Sequence, residues 1–121
     1  MAKDFRNLEV WQESYALAIE IYKLSSKFPK DERFSLCDQI RRSAVSVAAN
    51  IAESSGRFHN REKIQLLIIA RGSIYETRSH LSIALGLDYI NKNRFEDVDG
   101  RYEILSKRLN SFINHIEKSN I

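Results

Sequence analysis

The chain has 121 residues, with 19 Lys and Arg against 16 Asp and Glu for a net charge of +3, and 43% of its residues are hydrophobic. That length supports one domain with a true core, and the apolar content excludes disorder as the default. One proline and four glycines favour long helices over a turn-rich β fold, and the single cysteine, Cys37, excludes an intramolecular disulfide.

Four helices are predicted in chain order. The first covers about residues 8–26, with Asn7 as N-cap; Val10, Ser14, Leu17, Ile21 and Leu24 recur at core spacing. Leu8, Trp11, Tyr15, Ala18 and Tyr22 form an adjacent stripe, which predicts a wide buried face. Phe28-Pro29 ends this helix, because a residue before proline is pushed out of the α region. The second helix covers about 34–55 and stops at Gly56. The third covers about 60–87 with Asn60 as cap, its seam formed by Leu67, Ala70, Ile74, Thr77, Leu81 and Ala84. The fourth covers about 94–118, along the heptad Phe95, Val98, Tyr102, Leu105, Leu109, Phe112 and Ile116. Short connections between long helices predict an all-α fold, an antiparallel up-down-up-down four-helix bundle forming a single domain over 1–121.

The second helix is unusual between its anchors Leu36, Ile40, Val47 and Ile51. Ser43, Ala44, Ser46, Ala48, Ala49 and Ala52 are all small, which lets neighbouring helices approach closely. Gln39, Ser43, Asn50 and Glu53 on this helix, with Ser73 and Glu76 on the third, are polar residues at matching places. One reading makes them a structural network or subunit contact, with Arg41, Arg42 or Arg71 as ion partners, since buried charge needs one. The other makes them a ligand pocket or a carboxylate site built on Glu53 and Glu76. Gly72, inside the third helix, predicts close approach of another backbone.

Several chemistries lack their residues. The positions three before His59, His80 and His115 are Gly56, Thr77 and Phe112, so no Glu-x-x-His pair for a di-iron bundle exists. No Cys-x-x-Cys or His-Glu-x-x-His motif supports zinc, and the glycine spacing allows neither a P-loop nor a dinucleotide fingerprint. No catalytic residue, metal or cofactor is therefore expected. Cys37 reads as a buried structural thiol; Trp11 and Tyr15 read as core or interface, or as a stacking platform for bases. The first residues lack the apolar stretch of a signal peptide, and the longest apolar run, Leu66 to Ala70, is far short of a membrane span. The expectation is a soluble cytoplasmic protein with no membrane partner.

Leu8-Glu9-Val10-Trp11, then Phe28-Pro29 with Glu32, then Leu36 with Gln39-Ile40-Arg41-Arg42-Ser43-Ala44, then Asn50-Ile51-Ala52-Glu53, together closely resemble one bacterial family. These are the four helix bundle proteins, also called 23S rRNA intervening-sequence proteins because some are encoded in inserts within large-subunit rRNA genes. Ala70-Arg71-Gly72-Ser73-Ile74-Tyr75-Glu76 is similar to the family's Ala-x-Gly-Ser-x-x-Glu signature. Ser54 departs from the pattern, standing where glycine is common, and predicts a second helix that continues to a cap at Gly56. The resemblance implies a homo-oligomer, a pentamer in characterised relatives, with a basic surface. It also implies kinship to the accessory variability determinant of diversity-generating retroelements, which binds nucleic acid and a reverse transcriptase.

Charge distribution points the same way. From Arg33 to Arg78 eight basic residues face four acids, a segment charge of +4, while the rest of the chain carries −1. Arg41, Arg42, Arg57, Arg61, Lys63 and Arg71 are the candidate nucleic-acid contacts, since arginine suits bidentate phosphate binding. The functional expectation is a non-enzymatic oligomeric adaptor or accessory that binds RNA or DNA and recruits a protein partner. The alternative is a self-assembling structural module with no nucleic-acid partner.

Overall fold

The computed structural model describes residues 4–119. Its elements are α1 (Glu9–Ser25), α2 (Leu36–Ser55), α3 (Asn60–Gly86) and α4 (Lys92–Glu117), with 3-10 turns at Phe5–Asn7 and Lys30–Glu32; no strand occurs among the described residues. The sequence-derived bounds hold to within about two residues, the usual latitude at fraying helix ends.

Cross-helix contacts set the topology. Arg41 Nε on α2 donates to Ser25 Oγ at the end of α1 (2.8 Å). Ser46 Oγ on α2 meets Ser73 Oγ on α3 at 2.9 Å, and further along, Ser43 Oγ meets Thr77 Oγ1 at 2.7 Å. As one index falls the other rises, so α2 and α3 are antiparallel. Arg78 grips Asp99 on α4 through two bonds (2.8 and 3.2 Å), and Arg71 donates to Asn110 Oδ1 (2.8 Å). Glu20–Arg94 and Glu13–Arg108 ion pairs close the ring between α1 and α4. Each helix packs on its two neighbours and the diagonals do not meet, the up-down-up-down arrangement. The α2–α3 pair packs most extensively and the α1–α4 pair least.

The core follows the predicted seams. Leu67, Ala70, Ile74, Thr77, Leu81 and Ala84 on α3 are all fully buried. They face Ile40, Ser43, Ala44, Val47 and Ile51 of α2, likewise buried. The second stripe of α1 holds in part: Ala18 is buried and Leu8 and Trp11 pack against the core, but Tyr15 and Tyr22 are about half exposed, 52% and 44%, so the buried face is less wide than expected.

Helix ends bring further corrections. Asn7 closes the first 3-10 turn instead of capping α1; that turn is capped by Asp4, and Leu8 begins α1 without a side-chain cap. Asn60 is the first residue of α3, and its amide donates to the Ile116 carbonyl (3.2 Å) and Ser119 hydroxyl (2.6 Å) at the end of α4. Helix α4 starts earlier than expected because the Asn91 side chain accepts from the Arg94 amide at 2.7 Å. Helix α2 runs through Ser54, whose hydroxyl donates to the Ile51 carbonyl, and ends at the Gly56 cap. Gly72 does not mark a close approach: it is exposed, and a Cβ there would meet nothing within 4 Å. Gly72→Ala is therefore expected to stabilise the chain by about 0.5–1 kcal/mol, since only the entropic cost of glycine is removed; a urea titration reads it directly.

Glu32, one of the motif residues, ties two connections together. Its carboxylate accepts from the Tyr89 hydroxyl (2.7 Å) beyond α3 and from the Leu36 amide (3.3 Å) at the start of α2. The Tyr89 bond is the main cause that holds this carboxyl below the ordinary glutamate value, with the Leu36 amide next. Because folding weakens its proton affinity, the contribution is fully present above the unfolded-state value of 4.5 and fades as pH falls through the lower folded-state value. In melting temperatures recorded from about pH 7 down to about pH 3, Glu32→Gln should show a flatter acid limb than the parent.

Candidate functional site

The six cations singled out in the sequence stand at two places, Arg41 and Arg42 near the start of α2 and Arg57, Arg61 and Lys63 around the α2–α3 connection, with Arg71 further along α3. Arg41 and Arg42 lie on the first turns of α2, and Arg57 lies just past its end, roughly 23 Å further along the axis at 1.5 Å per residue. Arg41 stacks over the Tyr22 ring (4.6 Å) and donates to the Tyr22 carbonyl (3.3 Å) and Ser25 hydroxyl, so its guanidinium is held by α1. Arg42 pairs with Asp38 (2.9 Å) and Arg57 with Glu53 (2.5 Å), each one helical turn away. Arg71 turns toward α4 and Asn110, away from the rest. Only Arg57, Arg61 and Lys63 share one end of the bundle, and there Arg57 and Lys63 line a groove of about 890 Å³.

That groove lies where the ends of α2 and α4 meet the beginnings of α1 and α3. Leu8, Phe112 and Ile116 supply its apolar part. Arg57, Lys63 and His115 supply the basic part, and among the described residues no carboxylate lines it. Glu53 stands next to it as the partner of Arg57, both side chains about half exposed. Phe58, also in the lining, is 77% exposed, its ring meeting only the edge of His59 at 5.0 Å among aromatic neighbours. The sequence carries little sign that Phe58 and His115 belong to one site. A lone aromatic between Arg57 and His59 in a four-residue connection was the available signal for the first; nothing local links His115, 57 residues away, to Phe58.

The polar residues of α2 and α3 divide into two sets. Ser43, Ser46, Asn50, Ser73 and Thr77 form a continuous chain of contacts. Asn50 Nδ2 donates to the Ser46 carbonyl (2.9 Å) and hydroxyl (3.0 Å). Ser46 meets Ser73, and Thr77 Oγ1 lies within reach of both Ser43 Oγ and the Ser73 carbonyl (2.8 Å). Gln39, Glu53 and Glu76 stand outside this chain and are exposed, which corrects the expectation that they join it. The reason is helical phase: these three project past the α2–α3 contact line to solvent. Glu53 takes Arg57 as its partner, not the earlier arginines, and Glu76 lies 3.5 Å from His80 Nε2. From the Ser46–Ser73 crossing, Glu53 is seven residues one way and Glu76 three residues the other, a separation of about 15 Å along the axis. Two carboxylates so placed cannot act on one bond. Among the described residues no group of three or more His, Cys, Asp or Glu side chains could hold a metal ion. Cys37 is a buried free thiol whose Sγ donates to the Ser25 carbonyl at 3.7 Å.

Exposed apolar side chains lie elsewhere. Tyr15, Ile19 and Tyr22 rise along α1, and Val45 of α2 lines a shallow pocket beside Tyr22. Trp11 stacks on Tyr15 with centroids 5.2 Å apart. No helix among the described residues is long and apolar enough to cross a membrane.

No curated protein matches the chain. A crystal structure from Bacteroides thetaiotaomicron, described as a protein with unknown function from the S23 ribosomal protein family, is similar over 86% of this chain and 97% of that one, with 28% identity and a TM-score of 0.78. The model of the family described as 23S rRNA-intervening sequence protein matches residues 6–111, which carry α1 to α3, most of α4, the Ser43–Thr77 network, and Arg57 and Lys63 of the groove. The chain belongs to the 23S rRNA-intervening sequence protein family.

Proposed function

We propose that this protein is a non-enzymatic, self-associating bundle of the cytoplasm that binds nucleic acid and acts as an accessory to another protein. The observation that carries the reading is the end groove, where Arg57 and Lys63 meet His115, with no carboxylate in the lining among the described residues, and Arg61 follows on the first turn of α3. Cations gathered at a concave surface attract phosphate and release its counterions on binding. The half-exposed row Tyr15, Ile19 and Tyr22 supports self-association, since exposed apolar rows of this kind favour burial against another chain. The partner is a second copy of the chain, as many as five in one assembly by the family resemblance, and a reverse transcriptase is the kind of protein partner that the same resemblance suggests.

The experiment is a gel-shift and anisotropy titration with RNA and DNA at about 50 mM salt and at higher salt, where phosphate-driven binding weakens steeply. Absence of any retardation at low salt would refute the nucleic-acid reading. One observation favours the alternative of a purely structural module: Arg42 and Arg57 already have carboxylate partners within the chain, and Arg41 is spent on α1. Under that alternative, substitution of the basic residues changes assembly mass in light scattering and leaves no binding to lose.

A further inference from the structure

The end groove joins two chemistries that a nucleic-acid duplex cannot use at once. Its basic residues, Arg57, Lys63 and His115, suit a phosphate, and α3 begins beside them at Asn60 without a side-chain cap on its positive end. Its apolar part, Leu8, Phe112 and Ile116, offers nothing to a phosphate. A duplex presents its backbone outward and keeps base faces stacked inside. A single strand presents phosphate and an unstacked base together.

Phe58 supplies the matching aromatic. It sits in the α2–α3 connection directly after Arg57, is 77% exposed, and lines the groove beside the cations. An apolar ring of that size left in water is unfavourable for the isolated chain, and its burial under a base would recover the loss. We propose that the groove takes one nucleotide unit of a single-stranded nucleic acid, with the base stacked on Phe58 and its phosphate at Arg57 and Lys63. This inference rests on the nucleic-acid reading above and adds the form of the ligand and its site. The groove volume, about 890 Å³, is ample for one unit.

The test is fluorescence anisotropy with a labelled oligonucleotide of about 15 nucleotides, as RNA and as DNA, each free and annealed to its complement. The full chain is compared with Phe58→Ala and Phe58→Trp, and light scattering records the assembly mass of each. The single strand is expected to bind more tightly than the duplex. Phe58→Ala should weaken single-strand binding by about 5- to 100-fold, leave duplex binding unchanged and keep the mass, while Phe58→Trp retains affinity. Equal affinity for both forms together with an unaffected Phe58→Ala variant overturns the inference and leaves the broader reading standing. A change of assembly mass in Phe58→Ala, with both ligands weakened alike, also overturns it by making Phe58 a subunit contact. No binding of either form refutes both.

Discussion

Replacing Ile74 with alanine is expected to lower the free energy of unfolding by about 2–5 kcal/mol, the range for deleting a large buried aliphatic group. Ile74 is fully buried between Ala70 and Thr77 on α3, facing the helix with which α3 packs most extensively. Thr77→Val is the instructive comparison, because it keeps the volume and removes only the hydroxyl that meets Ser43 and the Ser73 carbonyl. Its expected cost is about 0.5–1.5 kcal/mol, the net worth of one hydrogen bond, because Ser43 Oγ still donates to the Ile40 carbonyl. Urea titrations with unchanged m-values decide the ranking; a costlier Thr77→Val would mean that the polar chain, not apolar packing, holds α2 to α3.

The triple substitution of Arg57, Arg61 and Lys63 by glutamine is expected to have the largest effect on binding. If all three meet phosphates, the slope of log affinity against log salt should flatten by two to three, and affinity near 0.1 M salt should fall by roughly 100-fold, to a similar extent for every sequence tested. Stability should change little, because Arg57 and Arg61 are exposed and the pair of Arg57 with Glu53 is about half exposed on both sides. Thermal melting and light scattering on the same samples separate lost contacts from lost assembly. The equivalent change at Arg41 should act differently, since its guanidinium bonds α1 through Ser25 and Tyr22 and would be felt as stability.

Much of the fold was legible in the chain. The spacing of Leu67, Ala70, Ile74, Thr77, Leu81 and Ala84 marked the buried seam of α3, because helical periodicity maps directly onto one face. The end signals were less reliable. Asn7 and Asn60 have the right chemistry for caps, yet a 3-10 turn claims the first and the end of α4 claims the second. Glu32 was legible only as part of a motif; that it receives Tyr89, 57 residues away, has no local signature.

The candidate site divides in the same way. Composition and charge order identified Arg57, Arg61 and Lys63, and they do share an end, because α2 stops and α3 starts there within a few residues. Arg41 and Arg42 stand apart from them in the sequence too, and the length of α2 carries them to the other end; helix phase turns Arg71 toward α4, which its nearness to Lys63 does not reveal. Glu53 and Glu76 failed as a pair for the same reason: antiparallel helices move residues apart on either side of their crossing. The sequence by itself determined the four helices, their buried faces and the antiparallel order, since these depend on local periodicity and short connections. Only the tertiary structure decided which charges are already paired, which polar residues meet, and that Phe58 and His115 border one groove. Those facts depend on axial level and rotation between helices, which no single helix encodes.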